Sequence, residues 1–121
     1  MPEKFSSMLR AVRRQRSLSQ RELASKVGVH HTYISKLEAG DERPSREVIG
    51  SLAVALDIDR MELELAAGYL PAEFAKVIAE REELRQLLRL AARNRLTDEA
   101  YKKLGELVAQ AGRVNRPVWL K

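Results

Sequence analysis

The run Gln20–Gly40, QRELASKVGVHHTYISKLEAG, is preceded by Leu18-Ser19 and followed, beyond Asp41-Glu42, by Arg43-Pro44-Ser45. Ser19 and Glu22 stand at capping-box spacing, so each side chain can satisfy an orphan backbone N–H of a helix that starts at Gln20. Leu23, Ala24 and Val27 give that helix one apolar face, and Gly28 stops it where a residue without Cβ can turn the chain tightly. A short helix follows from His31 to Ala39, with Ile34 and Leu37 inward and Gly40 closing it.

The same punctuation extends in both directions. Phe5, Met8, Leu9 and Val12 recur at steps of three and four, which predicts a first helix ending near Arg16. Ser45 caps a fourth helix whose Val48, Ile49, Leu52, Ala53 and Leu56 form an apolar stripe. Asp59 and Glu62 predict another capping box, opening a fifth helix that ends at Gly68. Pro71 suits the first turn of a long sixth helix running to about Arg93. Thr97 caps a seventh, with Ala100, Tyr101, Leu104, Leu107, Val108 and Ala111 inward and Gly112 at its end. The tail from Arg113 to Lys121, with Pro117 and Trp119, follows neither period. The expected fold class is all-α: a five-helix domain at residues 1–70, then a C-terminal helical hairpin and extended tail at residues 71–121.

Composition agrees with one small helical protein. The 121 residues are 45% hydrophobic and 32% charged, enough for both a core and a solvated surface. The net charge of +5 is unevenly spread: +5 on residues 1–46, −4 on 47–70 and +4 on 71–121. Positive charge on the first helices suits a polyanionic partner. No cysteine is present, which excludes disulfides, thiol nucleophiles and Cys-ligated zinc and fits a reducing cytoplasm. The basic start has no signal-peptide core, and the longest uncharged apolar stretch, Val48–Leu56, is too short to cross a bilayer. Neighbouring His30 and His31 point about 100° apart on a helix, and no other His or Cys completes a metal site. No phosphate-cradling glycine loop occurs, and the carboxylates lie mainly at caps or exposed faces. An enzyme, a metal and a cofactor are therefore not expected.

With its full register, including Arg43-Pro44-Ser45, the quoted run closely resembles the helix-turn-helix of the Cro and phage-repressor type, the XRE family, over about residues 5 to 70. Ala24 lets the two helices cross closely, while Val29, Ile34 and Leu37 lock them together. The resemblance implies a third helix laid in the major groove of DNA, where base edges show a distinct pattern for every pair. His31, Thr32 and Lys36 match the family's base-contacting positions, and Ser35 lies on the same face. Gln20, Tyr33, Arg43 and Arg46 match positions that contact phosphates, with the minor groove an alternative target for Arg46. Arg13 and Glu38 match an internal ion pair. Two positions depart from the pattern: His30 stands where Ser or Thr usually caps the recognition helix, and Ser17 replaces a common Gly at little expected cost.

In the sixth helix Phe74, Val77, Arg81, Leu84, Leu88 and Ala91 form a short seam, which predicts that residues 71–121 pair with a second copy. Arg81, Arg85, Arg89 and Arg93 lie four apart, and Glu80, Glu82 and Glu83 can offset them locally, leaving a solvated face, a protein partner or DNA as readings of the ridge. Trp119 is either a plug for its own core or an anchor on a neighbouring chain. The resemblance implies a transcriptional regulator that binds double-stranded DNA, a repressor acting as a homodimer on a palindromic operator. The alternative is an antitoxin-like protein that neutralises a partner protein through its C-terminal region and regulates its own operon.

Overall fold

The computed structural model describes residues 5–94 and 96–111. Among them the chain is all-α: α1 (Phe5–Gln15), α2 (Gln20–Val27), α3 (His31–Ala39), α4 (Arg46–Leu56), α5 (Arg60–Ala66), α6 (Ala72–Glu80), α7 (Glu82–Asn94) and α8 (Asp98–Ala111). It divides into two units, Met1–Ala75 and Lys76–Lys121. Gly112 and the tail with Pro117 and Trp119 lie outside the described residues.

In the first unit, helix ends are fixed by side chains that satisfy orphan backbone groups. Ser19 Oγ accepts the Glu22 N–H at 3.0 Å while Glu22 Oε1 accepts the Ser19 N–H at 3.0 Å, completing the capping box of α2. Ser45 Oγ accepts the Val48 N–H at 3.2 Å and opens α4. Asp59 caps α5 through the Met61 N–H, one position earlier than a box requires, so the reciprocal bond expected from Glu62 is not formed. At the end of α2, Gly28 has φ 83°, and the N–H groups of Gly28 and Val29 both donate to Ala24 O, at 2.9 and 3.0 Å. A Cβ there would meet nothing within 4 Å, so glycine is needed for its backbone angle rather than for room.

These ends aim the apolar faces at one core. Leu9, Leu23, Ile34, Leu37, Leu52 and Leu63 are wholly inaccessible to solvent, each stabilising the fold by about 1.5–3 kcal/mol. α3 packs on α1 and α2, and α4 on α2 and α5. Ser17 carries φ 57°, so a side chain with a Cβ sits in the left-handed region after α1. Ser17 thus holds a left-handed angle that glycine adopts without strain.

The second unit departs further from expectation. The long sixth helix is interrupted at Arg81, giving α6 and α7. Arg85 Nη1 donates to Ile78 O at 2.6 Å and to Ala79 O at 2.9 Å. Those are the carbonyls that the Glu82 and Glu83 N–H groups would bond in an unbroken helix, so one guanidinium replaces two backbone bonds. Thr97 does cap the last helix, its Oγ1 accepting the Ala100 N–H at 3.2 Å. The residues expected to face inward do not form an interior: Tyr101, Leu107 and Val108 are 52%, 61% and 51% exposed, and no described residue from 76 onward is buried.

Candidate nucleic-acid interface

α3 presents two unlike faces. Ile34, Leu37 and Glu38 are buried, whereas Thr32, Ser35 and Lys36, at helical spacings of three and four, are exposed on the other side. His30 caps the helix: its Nδ1 accepts the Thr32 N–H at 3.2 Å and also meets the Thr32 hydroxyl. An imidazole nitrogen thus does the work of the usual hydroxyl. The His30 and His31 rings lie 4.5 Å apart. Partial burial, then the nearby Arg21 and His30, lower the pKa of His31 below its ordinary 6.5. At neutral pH the ring is uncharged, with one donor and one acceptor nitrogen.

Behind this face, Arg13 of α1 grips Glu38 of α3 with two hydrogen bonds, Nε to Oε2 at 2.6 Å and Nη2 to Oε1 at 2.9 Å. Burial alone would raise the Glu38 pKa, but hydrogen bonds from Arg13, Gln20 and Arg10 outweigh it and hold the carboxyl below its ordinary value. Gln20, the first residue of α2, donates from Nε2 to Glu38 Oε1 at 3.2 Å. One carboxylate therefore fixes the start of α2 against the last turn of α3, and every buried side-chain polar atom described has a partner.

Tyr33 is half-buried on α3. Burial first, then Glu42, raise its pKa, so its phenol keeps its proton and can donate. Arg43 and Arg46 are gathered elsewhere, at the end of α5. Arg43 donates to Ala67 O and Gly68 O, both at 3.1 Å, and its guanidinium lies 3.8 Å from the centre of the Tyr69 ring. Arg46 donates to Glu64 Oε2 at 3.2 Å and Leu70 O at 3.3 Å, 4.6 Å from the same ring. The Tyr69 hydroxyl donates to Pro44 O at 2.9 Å. No local sequence pattern links Tyr69 and Glu64 to arginines 18 to 26 positions earlier. Nor does any mark Arg10, whose exposed head reaches Glu38 O at 3.4 Å.

Among the described residues no three His, Cys, Asp or Glu side chains gather as metal ligands, and no helix is long and apolar enough to cross a membrane.

A sequence model of the helix-turn-helix family matches residues 9–63. An uncharacterized HTH-type transcriptional regulator of Mycobacterium tuberculosis is 36% identical over 72 residues, 59% of this chain and 51% of that protein. The chain thus spans about half the length of that relative. The ImmF control region 10 kDa protein of Bacillus phage phi105 is 27% identical over 63 residues, 52% of this chain and 70% of that protein. Among solved structures, a SinR protein/SinI protein complex has a TM-score of 0.50 at 21% identity, covering 93% of this chain and 99% of that one, and shares the fold.

Proposed function

We propose, from the premise that residues 9–63 belong to the helix-turn-helix family of the Cro and phage-repressor type, that this chain is a DNA-binding transcriptional regulator, a repressor that occupies a palindromic operator as a homodimer. The observation that carries the reading is the two-sided α3: one side is fixed in the core through Ile34, Leu37 and Glu38, and the other offers polar side chains to solvent. Laid in the major groove, Lys36 donates to guanine O6 or N7. Thr32 offers a hydroxyl and a methyl to a thymine edge, and Ser35 a hydroxyl to either partner. His31, neutral at pH 7, donates or accepts according to tautomer. Gln20, Tyr33, Arg43 and Arg46 hold the flanking phosphates and fix the register without reading sequence. The Arg13–Glu38 pair keeps α1, α2 and α3 in one arrangement while this happens.

Dimerisation falls to residues 71–121. Leu88, Leu107 and Val108 are about half exposed or more in the single chain, and a second copy that covers them supplies the apolar burial that the described residues from 76 onward lack. Two recognition helices about 34 Å apart then enter successive major grooves.

Selection of bound duplexes from a random DNA pool, with the mass of the winning complex measured, tests the reading. The expected result is an inverted repeat occupied by two chains. A pool with no enriched sequence contradicts it.

A further inference from the structure

The cluster at the end of α5 is more ordered than a pair of surface arginines requires. Helix C-termini leave carbonyls without intrahelical donors, and here those of Ala67, Gly68 and Leu70 all receive guanidinium hydrogens. Tyr69 sits between these acceptors in sequence, with both guanidinium groups against its ring. Its hydroxyl, on Pro44 O, ties the ring to the loop that carries Arg43. Each arginine uses two of its five N–H hydrogens on the protein. Three remain on each head, and both side chains are exposed. An arginine free in solvent must lose its rotamer freedom when it grips a phosphate, whereas a head already held has lost that freedom beforehand.

We propose that Tyr69 is a positioning residue for DNA: its ring and the carbonyls beside it hold Arg43 and Arg46 in the arrangement that meets the phosphate backbone. This rests on the DNA-binding reading above. Tyr69 touches no nucleotide in this account and acts only through the two arginines.

The test is binding of the full chain to a random-sequence duplex across a salt series, for wild type, Tyr69→Leu and Tyr69→Phe, each also with Arg43→Ala and Arg46→Ala together. Tyr69→Leu is expected to lower affinity about tenfold and to reduce the slope of log K against log salt by about one to two. Tyr69→Phe, which keeps the ring, restores the slope. In the background without the arginines, Tyr69→Leu has no further effect. A wild-type slope in Tyr69→Leu, or an equal loss with and without the arginines, overturns the proposal while leaving DNA binding intact. A wild-type chain that binds no duplex overturns the DNA-binding reading and the proposal together. Should Tyr69→Leu fail to melt cooperatively, the wild-type chain itself decides. Its Arg43 and Arg46 Nε–H NMR signals are expected to be ring-shifted both free and duplex-bound, and unshifted signals in the complex overturn the proposal.

Discussion

The two units of this molecule are built from the same residue types and differ in what covers their apolar side chains. From Phe5 to Leu63 eleven apolar residues are buried in one core, whereas the described residues from 76 onward bury none and leave Leu87, Leu88, Leu90, Leu107 and Val108 substantially exposed. Amphipathic periodicity is present in both. Periodicity makes a face, but only a matching face makes a core, so the first unit closes on itself while the second leaves its apolar faces uncovered.

The sharpest way to probe the closed unit is through its buried charges. Arg13→Ala leaves Glu38, whose side chain has no solvent exposure, without its main partner and should cost about 3–5 kcal/mol in chemical denaturation. The companion change Arg85→Ala in the second unit removes only partly exposed contacts to Ile78 O and Ala79 O and should cost about 1 kcal/mol. Equal costs would break the comparison. Next in size, Leu52→Ala in the core should cost about 2–5 kcal/mol. Leu88→Ala should change the stability of the isolated chain by less than about 0.5 kcal/mol and act instead on self-association, read by sedimentation.

Acid should act on the first unit through Glu38. Its folded pKa lies below the ordinary 4.5, so its stabilisation is fully present above that value and is lost as the pH falls through the folded value. Denaturation from neutral pH to below 4.5 should show a steeper acid loss for wild type than for Glu38→Gln. Also small, Ser17→Gly relieves the left-handed strain at φ 57° but frees the unfolded chain, for a net gain of at most about 1 kcal/mol in a thermal melt.

What the sequence made legible was what short-range chemistry decides. Ser19 with Glu22, Gly28, Gly40 and Ser45 mark helix ends within three or four residues, and the helices α2 to α4 follow from them. The exposed set Thr32, Ser35 and Lys36 follows from the phase set by Ile34 and Leu37. What stayed hidden depends on side chains that reach distant backbone. The interruption at Arg81 goes with Arg85 binding the carbonyls of Ile78 and Ala79, a competition that helical periodicity cannot reveal. The hold of Tyr69 on Arg43 and Arg46 spans 23 or more positions and exists only because α5 ends beside the loop before α4. The cap by His30 was hidden for another reason: imidazole can accept a backbone N–H as a hydroxyl does, but rarely stands at this place.

The central claim is that the outward side of α3 reads bases, and the ratio of affinities for a selected site and a scrambled duplex tests it most directly. In single His31→Ala, Thr32→Ala and Lys36→Ala chains, affinity for the selected site should fall by about 1–3 kcal/mol per lost base contact while scrambled-duplex binding changes less. Wild-type discrimination retained in all three chains would contradict the account.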